Sequence, residues 1–342
     1  MRPISRTQFL SLTLLTCVGV LSTILISCSS SRQTVGNPDE VPFVAVTQMV
    51  ENSALDAVRD GVKDALAEAG YEEGQTLRWE WHSAQGNPVK AAQIADKYAW
   101  ARPDVIVVIA TPSAQSVVAA ARNTPIIFSA VSDPVSVKLV KTINRPGGNI
   151  SGVSDRPPIP QQLALIKEIL PEATRIGVVY SSEENQSADL VSLINTNAAD
   201  QDLEIQAVTI STADADIETT RSSIRGLIGA VDAIYVLSDN ARVLEPVLQV
   251  AQDNRVPVFA ASAKAVKQGA IAAVSFSYYD IGRQTGAMVI KVLKGNRPDD
   301  LAVEFVEDLK LSVNLAAAEA IGIQLPASVT FRADETISTE ML

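Results

Sequence analysis

Cysteine is nearly absent: Cys17 and Cys28 are the two in 342 residues. They support neither a disulfide framework nor a Cys/His metal spacing. Histidine is scarcer, with His82 alone, near the end of a strand-like run where a structural role is expected. Basic residues are outnumbered, 28 against 39 acidic, for a net charge of −11. That balance argues against a nucleic-acid or anionic-membrane surface, which needs clustered Lys and Arg. No G-x-S-x-G elbow, Walker loop or G-x-G-x-x-G turn occurs. With no nucleophile set beside a base, neither an enzyme nor a cofactor nor a metal site is expected. Glu183 and Glu184 are adjacent on a loop and read as solvated acids. Aromatics make up 5% of the chain, few for a cleft that stacks on sugars, and Trp79, Trp81 and Trp100 read as core or surface.

Apolar residues are plentiful, at 47%, enough for sizeable cores, and the length suits two domains. The N-terminus reads as a targeting segment, residues 1–27. Arg2 and Arg6 precede an apolar stretch over 9–26 that ends in Leu25-Ile26-Ser27-Cys28. Leu at −3, a small residue at −1 and Cys at +1 resemble a bacterial lipobox, in which Cys28 is acylated and becomes the new N-terminus. The other reading is an uncleaved transmembrane anchor, since the apolar run is close to the spanning length. Residues 28–41 read as a tether to the membrane surface.

One pattern is written twice. Asp104-Val-Ile-Val-Val-Ile-Ala-Thr-Pro-Ser-Ala-Gln leads through a helix-like run to Thr124-Pro-Ile-Ile-Phe-Ser-Ala. Asp232-Ala-Ile-Tyr-Val-Leu-Ser-Asp-Asn-Ala-Arg leads likewise to Val256-Pro-Val-Phe-Ala-Ala-Ser. Each copy is a buried strand, a polar loop, a helix and a second buried strand. Helices alternating with strands imply parallel sheets with right-handed crossovers. The expected fold is α/β, with two Rossmann-like lobes of parallel sheet joined by a three-crossing hinge. Lobe one is placed at 42–152 plus about 278–304, and lobe two at 153–277 plus about 305–342. Helices are expected at 54–69, 89–100 and 134–143 in lobe one. The proline-rich 154–160 stretch reads as the first crossing.

In parallel α/β sheets, ligands bind beyond the carboxyl ends of the strands. Thr111-Pro112-Ser113 opens a helix there. Its Ser113 and Ala114 N–H groups, with the Thr111 hydroxyl, are expected to face the cleft and suit a carboxylate. Thr111 as cap of its own helix is the competing reading. Asp133, Asp239 and Asn240 form a second polar set that suits an ammonium, so the two sets together suit a zwitterion. Helix capping by Asp239 and turn formation by Asp133 before Pro134 compete with that.

Six segments together carry a family likeness. They are Ala54-Leu55-Asp56, Ala110-Thr-Pro-Ser-Ala-Gln115, Ser132-Asp133-Pro134, Pro146-Gly-Gly-Asn-Ile-Ser-Gly-Val-Ser-Asp155, Ser238-Asp239-Asn240 and Tyr278-Tyr-Asp-Ile-Gly-Arg-Gln-Thr-Gly286. Over about residues 42–330 the chain resembles ABC-transporter substrate-binding proteins of the tryptophan/tyrosine type. The resemblance implies a type I periplasmic-binding fold. It implies capture of a small molecule, an amino acid with aromatic ones favoured, and delivery to a permease with a separate ATPase. By matching position, Gln48, Asn52, Thr111, Ser113, Gln115, Ser132 and Asp133 would line one side, and Asp239 and Asn240 the other. Where family members carry an Asn-Pro-Gly-Glu-like turn, this chain reads Ser181-Ser-Glu-Glu-Asn-Gln-Ser187, from which Asn185 is expected to reach the ligand. Position 52 is Asn where a His is often found. The expected setting is the cell envelope, extracytoplasmic and lipid-anchored, with the protein a monomer. A signalling receptor of the same fold, presenting its closed state to a membrane sensor, is the alternative.

Overall fold

The computed structural model describes residues 41–182, 187–211, 213, 216–237 and 240–338. The lipobox with Cys28, and the expected ligand contacts Asn185 and Asp239, lie outside the described residues. β1 (Phe43–Gln48) is buried along its whole length, as a parallel strand covered on both faces must be. α1 (Ser53–Glu68) starts where Asn52 accepts the Leu55 N–H at 2.9 Å. Then come β2 (Arg78–Ser83), α2 (Pro88–Ala101), β3 (Val105–Ile109), α3 (Thr111–Ala120), β4 (Ile126–Ser129) and β5 (Ile150–Ser154). The second series runs α4 (Ile159–Ile169), β6 (Arg175–Ser181), α5 (Ser187–Ala199), β7 (Glu204–Ile210), α6 (Ile217–Arg225), β8 (Ala233–Val236), α7 (Ala241–Asp253), β9 (Val258–Ala260), α8 (Ala263–Lys267) and β10 (Ala272–Phe276). The chain then returns through α9 (Tyr278–Leu293) and β11 (Glu304–Phe305). It ends in β12 (Leu309–Asn314), α10 (Leu315–Ala320), α11 (Ala327–Thr330) and β13 (Glu335–Ile337).

The strands form two sheets. The first is ordered β11-β5-β4-β3-β1-β2 and the second β13-β12-β10-β9-β8-β6-β7. Pairing is parallel except between β10 and β12, so the second sheet is mixed rather than wholly parallel. The chain crosses between sheets after β5, after β10 and after β11. The fold is thus two α/β lobes with three crossings, and each sheet repeats the doubly wound order 2-1-3-4-5.

Two local expectations fail. Residues 134–143 are a run of turns and bends, not a helix. Lys138 sits at φ 59, the left-handed region, which breaks the helical ladder. The amides of Leu139 and Val140 both return to the Pro134 carbonyl. Conversely α4 arises where the prolines suggested only a joint. Pro160 falls in its first turn, where a missing N–H costs nothing. Gln162 holds α4 to the second sheet by donating to the Val274 carbonyl at 2.9 Å and accepting from the Tyr235 hydroxyl.

The duplicated aspartates have a structural role. The Asp104 carboxylate accepts the Phe43 N–H at 2.7 Å at the start of β1. Asp232 accepts the N–H groups of Thr174 and Arg175 at 2.9 and 2.8 Å at the start of β6. In each lobe the acid before the third strand ties down the first. The bond from the Thr174 amide, above all, pulls the Asp232 carboxyl down to about 2 from an ordinary 3.8. A depressed carboxyl stabilises the folded state above its unfolded pKa, and the gain is lost as pH falls through the folded value. Asp232→Asn should therefore flatten the acid limb of a Tm-against-pH curve between pH 3.8 and about 2. Solvent screening at this half-exposed group limits the effect to ~1 kcal/mol. An unchanged acid limb would refute the assignment.

Helices α1 and α9 meet at glycines. A Cβ on Gly61 would lie 2.2 Å from the Tyr279 carbonyl oxygen, and one on Gly282 2.1 Å from that of Val58. The backbones touch directly, locking the returning helix onto the first lobe.

Candidate ligand-binding site

Chain direction selects one edge. The first crossing leaves from the carboxyl end of β5 and the second from the carboxyl end of β10. The carboxyl ends of both sheets therefore adjoin the hinge, and the loops after their strands form the walls between the lobes. In the first sheet the winding reverses between β1 and β3, the position where doubly wound sheets open a crevice.

Gln48 ends β1 fully buried. Its amide donates to the Val50 carbonyl at 3.0 Å and to Asp56 at 2.8 Å. Arg59 bridges the same Asp56 at 2.9 Å and lies 4.3 Å over the Trp81 ring. Gln48 thus organises the first loop. Asn52 caps α1 and is exposed.

At the other side of the crevice, α3 begins without a side-chain cap. Its N-cap is Ala110, at φ 69 and ψ 155, a region that glycine alone occupies freely. Thr111 is therefore the first helical residue rather than the cap. The Ala114 N–H closes onto the Ala110 carbonyl at 3.2 Å, contrary to the expectation that it faces the cleft. Pro112 has no N–H, so the Thr111 and Ser113 amides are the ones ahead of the first helical bond. Ser113 is 2% exposed, and its hydroxyl has no hydrogen-bond partner among the described residues. Gln115 is exposed on the same turn.

After β4, the Asp133 carboxylate takes the amides of Val135 and Ser136 at 3.1 and 3.0 Å and pairs with Arg156 at 3.3 Å. The turn reading holds for Asp133, and its charge is already matched. Ser132 instead donates to Asp155 at 2.7 Å. Tyr278, on the second crossing, reaches the other Asp155 oxygen at 3.5 Å. Burial pushes the Asp155 carboxyl above its usual range, although both hydroxyls act to lower it. Arg156 lies 5.6 Å over the Phe305 ring, so the first crossing touches both others. Asp155 and Tyr278 stood in the sequence as ends of two of the likeness segments, but nothing local marked either as a site residue. Asn240 caps α7 by accepting the Arg242 N–H at 3.0 Å.

His82 is structural. Tyr98 donates its hydroxyl proton to the Val46 carbonyl at 2.9 Å and lies 2.9 Å from His82 Nδ1. Nδ1 must then carry the proton, and Nε2 accepts from Lys97 at 3.2 Å. Burial, then the Lys97 charge, keeps the imidazole neutral by lowering its pKa. A cavity of about 300 Å³ lies elsewhere, between Leu248, Gln252, Lys267, Ile271 and Asn314. It sits at the amino ends of β9 and β10, the wrong edge for the site that the topology selects.

The ABC transporter substrate binding protein family model matches residues 43–337. The chain belongs to this family. A tyrosine-binding protein from Clostridioides difficile is 33% identical over 283 residues, 82% of this chain and 81% of that one. Among solved structures, an L-Trp complex of an ABC domain from Streptococcus pneumonia is 32% identical. It covers 87% of this chain and 100% of its own, with a TM-score of 0.67. A ligand-free, open substrate-binding protein from Clostridium difficile is 33% identical with the same coverage and a TM-score of 0.78. This substrate-binding protein therefore has the type I periplasmic-binding fold, and its family binds ligands for transport without transforming them.

Proposed function

We propose that this substrate-binding protein captures an aromatic amino acid, tyrosine or tryptophan, between its lobes and presents the closed form to an ABC permease driven by a separate ATPase. The observation that carries the reading is the start of α3, where strained Ala110, two leading amides and the buried Ser113 hydroxyl converge. Such a helix end favours a carboxylate. The aromatic side chain is supported by the relatives, one named for tyrosine and one solved with L-Trp. Phe276 and Tyr278 offer an apolar wall at the second crossing, edge to face at 5.7 Å. Thr111, Ser113, Gln115, Ser132 and Asp133, with Gln48 and Asn52, supply the first lobe's side. Asn185, Asp239 and Asn240 supply the second. Ligand shifts the lobes toward closure only by its greater affinity for the closed form.

Substrate-binding proteins of this family work outside the cytoplasm. Among the described residues no helix is long and apolar enough to cross a membrane. A lipid on Cys28 would hold the protein at the membrane surface, and a monomer leaves both lobes free to move. The test is isothermal titration after unfolding and refolding to strip carried-over ligand. One-to-one binding of L-tyrosine or L-tryptophan, with phenylalanine and leucine weaker, is the expected result. No heat with any amino acid, from protein that still melts cooperatively, would overturn the reading.

A further inference from the structure

We infer that Asp155, on the first crossing, receives the ligand's ammonium while the start of α3 holds its carboxylate; this rests on the amino-acid reading above. Strand register supplies the distance. Ile109, Ser129 and Val153 lie level across β3, β4 and β5. Thr111 opens α3 just after β3 and Asp155 follows the end of β5, and these two strands are separated by β4 alone. Two strand spacings are about 10 Å. An ammonium and a carboxylate carried on one carbon would lie between the two strand ends.

Charge points the same way. Among the described residues no cation pairs with Asp155; its partners are the hydroxyls of Ser132 and Tyr278. The neighbouring Arg156 guanidinium turns instead to Asp133 and to the Phe305 ring. A half-buried acid whose side-chain partners are hydroxyls lacks the counter-charge that such groups ordinarily have. Burial raises its pKa, and an arriving ammonium would favour the ionised form. Asp133, the acid that sequence favoured on this side, already has its cation.

Ligand chemistry separates this role from a purely structural one. The probes are L-tyrosine and its deaminated analogue 3-(4-hydroxyphenyl)propionate, titrated against the unaltered protein, Asp155→Asn and Asp239→Asn. The expected result is a loss of at least ~30-fold for L-tyrosine in Asp155→Asn, the scale for removing one partner of a buried charge pair. The deaminated acid should bind both proteins alike, and Asp155→Glu should recover part of the loss. Equal weakening of both ligands in Asp155→Asn would mean that Asp155 acts through the hinge, and would overturn the assignment. So would collapse of the ligand difference in Asp239→Asn instead. Failure of the unaltered protein to bind any amino acid would overturn the functional reading and this assignment with it.

Discussion

Gly282→Ala should lower the melting temperature of this protein by a few °C, although alanine is the better helix former. In an exposed helix the same change gains up to ~1 kcal/mol. Here the new Cβ would lie 2.1 Å from the Val58 carbonyl oxygen and 3.0 Å from the Gly61 Cα. These are backbone atoms of α1, and no rotamer can move them aside. The helices must separate along their whole contact, loosening the Val58, Val62, Ile281 and Val289 packing beneath. Overpacking of this kind typically costs about 1–3 kcal/mol, up to about three times the helix-propensity gain. Gly61→Ala meets the Tyr279 carbonyl at 2.2 Å and should behave alike. Paired thermal melts of the two variants decide the matter. A Tm equal to or above that of the unaltered protein in both would refute the direct backbone contact.

Ser113→Ala should move stability and affinity in opposite directions. The Ser113 hydroxyl is buried and has no hydrogen-bond partner among the described residues. Its removal therefore costs the free protein nothing and relieves a desolvated polar group, so the melting temperature should hold or rise. The ligand's carboxylate would lose one hydrogen bond to a charged acceptor, worth about 1.5–3 kcal/mol, so affinity should drop at least ~10-fold. Titration and melting of the same sample separate the two effects. A variant that binds as tightly as before would detach Ser113 from the carboxylate site. One that melts markedly lower would show that the hydroxyl supports the fold.

Much of the architecture was legible in the chain because parallel strands covered on both faces read as unbroken apolar runs. Residues 105–109 and 233–236 are of this kind and are buried throughout. Local signals misled where backbone conformation overrode pattern. Apolar spacing over 134–143 resembled a helix, but Lys138 in the left-handed region ends any ladder. The prolines before α4 read as a joint because proline marks both loops and helix starts. The start of α3 was legible as a helix opening, but neither reading of Thr111 placed the cap at Ala110, since no residue type announces a strained alanine.

The sequence alone determined the alternation of strand and helix, the internal duplication with its two aspartates, and the loops at the carboxyl edges. All of these follow from short-range periodicity and residue chemistry. Tertiary structure decided which carboxylate stands without a cation, and which hydroxyl without a partner, among the described residues. Asp133 and Asp155 are both acids beside polar loops. They differ because Arg156 folds toward the first, while Ser132, 23 residues away, and Tyr278, 123 residues away, close on the second. Charge matching inside a protein is a property of neighbours in space. The hinge brings together residues whose separation along the chain carries no local signal.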